Sequence, residues 1–263
     1  MTGRQIPITL HTYDGVVVCV SGGKDSQVTL DRICAGAERA GVLGRVRAVH
    51  ADTGSEWPQS APHCAYLCGQ YGVPFEVVRP RRPLAESIRR RGMWPSNPCR
   101  YCTSDHKRDP IEVMVRNHWP AHSGVRILIV SGERAEESPH RARLPEFAVD
   151  GRLTVNGRDV YRWRPILEMG EAQVWAQIER SGLRHHVAYD WGCRRVSCVL
   201  CVLAAEGDLR IGAQHNPEMA ELYLAIEVEM GHTFRHNRPL ADILQADGAR
   251  GRIGASRQDR VGG

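Results

Sequence analysis

The sequence has 263 residues, 42% hydrophobic and 25% charged, with 35 basic against 30 acidic side chains and a net charge of +5. That balance belongs to a folded globular chain and excludes a disordered or fibrous one. No apolar run approaches the ~20 residues of a membrane-spanning helix. Met1 to Leu10 lacks the charged-then-apolar pattern of a secretory signal, so a cytoplasmic location is expected.

In chain order, Val16-Val17-Val18-Cys19-Val20 is a short continuous apolar run ending at glycines, the pattern of a strand buried on both faces of a parallel sheet. Ser26 to Ala40 follows with helical periodicity, Val28, Leu30, Ile33 and Ala37 on its inward side, and Gly41 and Gly44 end it. Val46 to His50 reads as a second strand, Pro58 to Tyr71 as a helix and Phe75 to Val78 as a third strand. After an arginine-rich segment, Lys107 to His118 is helical in pattern and Val125 to Val130 is a further strand. Alternating strands and helices with short connections predict an α/β fold, a doubly wound and mostly parallel sheet with helices on both faces.

Beyond Gly132 the pattern changes. Asn156-Gly157 between Arg152–Val155 and Asp159–Trp163 signals a hairpin, because both residues tolerate positive φ. Glu171 to Ser181 and Pro217 to Met230 have amphipathic helical spacing, and Gly248 to Gly263 has little to bury. The expected organisation is a nucleotide-binding domain over 1–150, a hairpin and helical elaboration carrying cysteines over 151–247, and a flexible tail over 248–263.

The segment Ser21-Gly22-Gly23-Lys24-Asp25-Ser26 joins the first strand to the first helix. Paired glycines let backbone N–H groups approach an anion, and the following helix aims its positive end at the same point. Ser21 and Ser26 add hydroxyls and Lys24 adds a charge. Asp25 would repel a bare phosphate, so it either orients the loop or helps hold Mg²⁺. The glycine spacing is not that of a Walker A loop. Asp52 ends the second strand, where ligands of open α/β sheets bind, and is assigned a metal or adenosine role.

The loop resembles that of the adenine nucleotide alpha hydrolase superfamily, the PP-loop ATP pyrophosphatases. Gly132, Arg134, Ser138 and Arg141 of Gly132-Glu133-Arg134-Ala135-Glu136-Glu137-Ser138-Pro139-His140-Arg141 resemble a segment of phosphoadenosine phosphosulfate (PAPS) reductase-like proteins. Glu133 departs from the hydrophobic residue usual after that glycine. Cys102-Thr103 with Lys107 and Pro110, Trp163-Arg164-Pro165-Ile166, and Asn216-Pro217-Glu218 extend the likeness to short, phage-type members over roughly residues 16 to 245. The resemblance implies that the loop holds the pyrophosphate part of ATP while its α-phosphate is attacked. Lys24, Asp25, Asp52 and Arg134 would then be catalytic, with Ser21, Gly22, Gly23, Ser26, Gly132, Ser138 and Arg141 completing the nucleotide site.

Nine cysteines are many for a reducing compartment, and their spacing favours metal ligation over disulfides. Cys193-x4-Cys198-x2-Cys201 with Cys102 makes a four-thiol set. Relatives of the family, including the DNA phosphorothioation ATP-pyrophosphatase component, imply a 4Fe–4S cluster there. Structural zinc on Cys99-x2-Cys102 and Cys198-x2-Cys201 is the alternative. Cys19 and Cys34 are expected in the core, as are Cys64 and Cys68, although His63 beside the latter pair leaves a second site open.

Three functions follow. The first is ATP-dependent adenylation of an acceptor with iron–sulfur-assisted sulfur transfer, the cluster carrying sulfur from a donor protein; the acceptor is DNA or tRNA, with a small molecule left open. The second is sulfonucleotide reduction, which the resemblance links to a nucleophilic cysteine near the carboxy terminus; no cysteine follows Cys201. The third is a non-catalytic nucleotide-sensing module. Only two basic residues, Lys24 and Lys107, are lysines, leaving 33 of the 35 as arginines. A GC-rich coding sequence is the plain explanation. Arginine also suits bidentate phosphate recognition, yet Arg79/Arg81/Arg82 and Arg89/Arg90/Arg91 each read alone as solvated faces.

Overall fold

The computed structural model describes residues 9–245, so the tail expected over 248–263 lies outside the described residues. The chain runs β1 (Gly15–Cys19), α1 (Lys24–Arg39), β2 (Val46–Ala51), α2 (Ser60–Tyr71), β3 (Phe75–Val78), α3 (Leu84–Arg91), α4 (Tyr101–Thr103), a π-helical turn (Ser104–Arg108) and α5 (Asp109–His118). Then follow β4 (Val125–Val130), β5 (Phe147–Val149), β6 (Arg158–Trp163), α6 (Glu171–Ser181), α7 (Glu206–His215), α8 (Pro217–Met230) and α9 (Leu240–Gln245).

The six strands are ordered β3-β2-β1-β4-β6-β5, all pairs parallel except β5 against β6. The doubly wound, mostly parallel sheet expected from the sequence is therefore present. Alternation along β1 explains its continuous apolar run. Val16 and Val18 pack toward α1 and α2, while Val17 packs toward Met114 and Val115 of α5. All three valines are fully buried, each contributing roughly 1.5–3 kcal/mol by the usual apolar transfer scale. The order reverses between β2 and β4, which flank β1. That places the topological switch point, where such sheets bind ligands, at the carboxyl end of β1.

Two expectations shift. β5 and β6 belong to the main sheet, so a boundary at residue 150 falls between two of its strands rather than at its edge. The Asn156-Gly157 turn forms, with reciprocal backbone hydrogen bonds between Val155 and Arg158 of 3.0 and 2.9 Å, but the hairpin stops at that tip. Asp150 Oδ1 accepts the backbone N–H groups of Arg152 and Leu153, turning the chain out of strand register. The antiparallel partner of β6 is thus Phe147–Val149.

The last third forms a second apolar cluster. Ile88 of α3, Trp94, Tyr101, Leu209 of α7, Tyr223 and Ile226 of α8, Phe234 and Leu240 of α9 are buried together with Cys193, Val199 and Leu200. This cluster carries the late cysteines to the carboxyl edge of β2. There Glu56 forms an antiparallel bridge with Cys198, and Val199 N–H donates to the Ser55 carbonyl at 2.9 Å. Among the described residues, no helix is long and apolar enough to cross a membrane.

Candidate nucleotide site and its cysteine neighbourhood

The phosphate loop is built by its own short polar residues. Gly22 has φ +84°, which a side chain would strain, and Gly23 caps α1 with extended backbone. Ser26 Oγ donates to the Gly23 carbonyl at 2.8 Å and accepts from Ser21 N–H at 3.1 Å, closing the loop across the first helical turn. Gly22 and Gly23 put no side chain of their own at the positive end of the sixteen-residue helix α1, the arrangement that favours anions, although the first helical N–H, that of Lys24, is met by the Tyr189 hydroxyl. Lys24 is buried, its ammonium 3.3 Å from Asp25 and 3.4 Å from Glu171.

The segment after β4 closes on this turn. A Cβ on Gly132 would lie 2.7 Å from the Asp25 carbonyl oxygen and 2.8 Å from Thr29 Oγ1, so only glycine permits the approach. Arg134 follows, buried, with Nε donating to Asp25 Oδ1 at 2.5 Å and NH1 to Glu136 at 2.6 Å. The Asp25 carboxylate is engaged by both Arg134 and Lys24. Glu137 accepts from the Arg134 backbone N–H at 3.0 Å and pairs with Arg141. Ser138 Oγ accepts from Arg141 N–H at 3.2 Å. Ser138 and Arg141 thus build the turn that supports Arg134.

Asp52 is brought to the same edge of the sheet but not to the loop. Its carboxylate accepts from Gly54 N–H at 2.9 Å and from Arg79 Nε at 3.0 Å. The loop's other neighbour is the segment before the late cysteines. Tyr189 OH accepts the Lys24 backbone N–H at 2.9 Å, and the Val196 carbonyl oxygen would stand 3.3 Å from a Cβ on Gly23. Two residues further on, Cys198 reaches Glu56.

The Glu56 carboxylate is 6% exposed and pairs with Lys107 Nζ at 3.0 Å. It also accepts from Thr53 Oγ1 at 3.0 Å and from the Cys198 thiol at 3.4 Å. Burial opposes its charge, but Lys107, His50 and the Cys198 thiol together outweigh burial and hold the carboxyl below its usual range. Burial likewise opposes the charge on Lys107, yet Cys198, Glu56 and Cys201 raise it above the ordinary lysine value. For Cys198, burial and then the Glu56 carboxylate push the thiol well above normal, so it stays protonated and donates. Cys102 is close enough to feel Cys201 and Lys107, and burial raises its thiol as well.

Cys102, Cys198 and Cys201 therefore share a neighbourhood. Cys193 is buried in the apolar cluster against which Cys102 packs, where burial and the nearby Asp208 push its thiol to about 11. Among the described residues, no three His, Cys, Asp or Glu side chains form a group that could hold a metal ion. The four-thiol set of Cys102, Cys193, Cys198 and Cys201 does not fit a single iron–sulfur centre as arranged, because these side chains form no metal-holding group and the Lys107–Glu56 ion pair stands beside Cys198. Cys99, half-buried, is nearer to that neighbourhood, since it and Cys102 both act on Tyr101 between them. The zinc alternative fares no better. Cys34, Cys64 and Cys68 lie in the core as expected, and Cys19 is partly buried against it.

Glu56, Lys107 and Tyr189 are the site residues without a role in the sequence reading. Lys107 carried a signal, being one of two lysines in the chain. Glu56 follows the end of β2 by a few residues, a place where a carboxylate faces the crevice.

Residues 15–204 match the phosphoadenosine phosphosulfate reductase domain family. An uncharacterised 37.8 kDa protein of Escherichia phage 186 is 32% identical over 137 residues, covering 51% of this chain and 40% of the phage protein. The chain thus matches less than half the length of that relative. The phosphate complex of phosphoadenylyl-sulfate reductase from Candida auris is similar with a TM-score of 0.50 at 20% identity, over 72% of this chain and 83% of that one. FMN adenylyltransferase from Candida glabrata, in complex with FAD and inorganic pyrophosphate, gives 0.52 at 15% identity over 74% and 59%. At these identities the two structures speak to the fold alone.

Proposed function

Because this chain belongs to the phosphoadenosine phosphosulfate reductase domain family, we propose that it is an adenine-nucleotide enzyme that adenylates an acceptor with ATP for sulfur transfer. The observation that carries the reading is the closure of Gly132 and Arg134 on an intact Ser21–Ser26 loop, which surrounds one anion-binding helix end with Lys24 and a buried guanidinium. An acceptor oxygen attacks the α-phosphorus, the α–β phosphoanhydride breaks, and pyrophosphate leaves toward the loop. Lys24 and the positive end of α1 stabilise its charge; Arg134, fixed by Asp25, lies beside the reacting phosphates. Mg²⁺ bound by the nucleotide's own phosphates would offset the remaining charge.

The sulfur step falls to the thiols beside Lys107. A donor protein's persulfide passes its outer sulfur to a cysteine of the Cys102, Cys198 and Cys201 group. That sulfur attacks the adenylated carbon, a C–S bond forms, the C–O bond breaks and AMP leaves. A second thiol then attacks the S–S bond, freeing the thiolated product and leaving a disulfide for a thiol reductant to reopen. The acceptor class in this reading is nucleic acid, whose phosphates suit bidentate recognition by arginine.

A second reading, reductive cleavage of a sulfonucleotide, is favoured by the same buried thiols next to a phosphate loop. The test is the full chain, purified without oxygen, given ATP with RNA or DNA, and separately given PAPS with thioredoxin. AMP and pyrophosphate in equal amounts, lost in Lys24→Ala, are expected. Sulfite from PAPS would establish the second reading instead. Neither product would leave a nucleotide-binding module without turnover.

A further inference from the structure

The two arginine clusters, apart in sequence, line one cleft. After β3 the chain passes through Arg79, Pro80, Arg81 and Arg82 into α3, whose Leu84, Ala85 and Ile88 are buried in the second apolar cluster. That burial turns the exposed side of α3, with Arg90 and Arg91, toward the π-helical turn and the start of α5. The cleft between them has a volume of about 790 Å³, within the size range of ligand sites. Arg79, Arg81, Arg82, Arg90 and Arg91 line it, against Glu76, Asp105 and Asp109.

The acids are each engaged. Glu76 pairs with His118 at 3.0 Å, Asp109 with Arg152 at 3.1 Å, and Asp105 with Arg91 at 2.7 Å. Arg79 is held by Asp52 and Arg82 by Glu86, while Arg91 stacks over Tyr101 at 4.4 Å. Three guanidinium groups are thus pre-positioned, and Arg81 and Arg90 add exposed charge. His106 lines the cleft, 3% exposed, with Nδ1 lacking a hydrogen-bond partner among the described residues. One end of the row meets Asp52 through Arg79, and His106 directly precedes Lys107 of the thiol neighbourhood.

We propose that this cleft binds the phosphodiester backbone of a nucleic acid and leads the strand to the thiols beside Lys107. Planar guanidinium groups spread along a groove suit successive phosphates, each neutralised phosphate releasing counterions and making binding salt-dependent. The proposal rests on the adenylation reading for the acceptor's purpose, but the binding itself needs no ATP.

The test is fluorescence anisotropy of the full chain with labelled single-stranded RNA and DNA oligonucleotides of one sequence, over a range of KCl, without ATP. Arg81→Ala/Arg90→Ala should weaken binding about tenfold or more and reduce the log–log salt slope by about 1.4, roughly 0.7 for each lost contact with a single strand. Arg39→Glu/Arg180→Glu, on exposed residues at the far ends of α1 and α6, should bind as the unaltered chain does. Lys24→Ala should also bind normally, so a failure of ATP turnover leaves this result readable. The tighter of the RNA and DNA arms identifies the acceptor. An unchanged slope in the Arg81/Arg90 variant, an equal loss in the Arg39/Arg180 variant, or equally strong competition by polyglutamate would each overturn the cleft.

Discussion

Arg134 Nε donates to Asp25 Oδ1 at 2.5 Å, tying the segment after β4 to the first turn of the helix after β1. Two strands that neighbour each other in the sheet thereby share one part-buried charge pair at their carboxyl ends. Asp25→Asn should lower ATP-dependent pyrophosphate release by about 100-fold, the scale of a misplaced catalytic group. Stability should change less, since Glu136 and the Met169 carbonyl still hold the guanidinium. Steady-state rates set beside urea unfolding check this; parallel losses in both would mean Asp25 is only structural.

Gly132→Ala tests the close approach separately. Its Cβ would press on the Asp25 carbonyl and Thr29 Oγ1, backbone and helix atoms that cannot swing aside. Overpacking of this kind costs roughly 1–3 kcal/mol, and the displaced turn should weaken ATP binding several-fold by calorimetry. Normal stability and affinity together would show that the segment after β4 moves freely.

The Glu56–Lys107 pair should behave as a buried ion pair does. Lys107→Met leaves the 6%-exposed Glu56 carboxylate uncompensated and should cost about 3 kcal/mol, the lower end for such sites because Lys107 itself is 32% exposed. Glu56→Gln/Lys107→Met should recover most of that loss, as removing both charges leaves nothing buried and unpaired. Denaturant midpoints of the two single variants and the double variant decide the matter.

Acid should unfold the protein through His63 and His186. The imidazoles meet at 5.5 Å between centroids, and burial, the main cause, depresses both to about 4. In the unfolded chain each takes up its proton near pH 6.5. Between these values the unfolded chain binds more protons, so stability is full above pH 6.5 and falls as pH drops toward 4. With both groups titrating, the slope approaches about 2.7 kcal/mol per pH unit. His63→Gln should halve it in urea titrations at successive pH values; an unchanged slope would assign acid sensitivity to other groups.

Much of this protein could be read along the chain. The run Val16–Val20, the paired glycines and the helix behind them form one local unit, because alternate burial and a helix start depend on neighbours a few residues apart. The bounds of α6 and α8 were legible for the same reason, and the ordered motifs over roughly residues 16 to 245 placed the family. Tertiary structure decided what joins across distance. It engaged Asp25 with Arg134, set Glu56 against Lys107 beside Cys198, and buried Cys193 in the apolar cluster next to Asp208. It also turned two solvated-looking arginine runs into the walls of one cleft. Sequence spacing encodes which residues share a helix face or strand edge. Which edges meet is fixed by strand order and by the apolar face each helix must bury, and neither is written in any single segment.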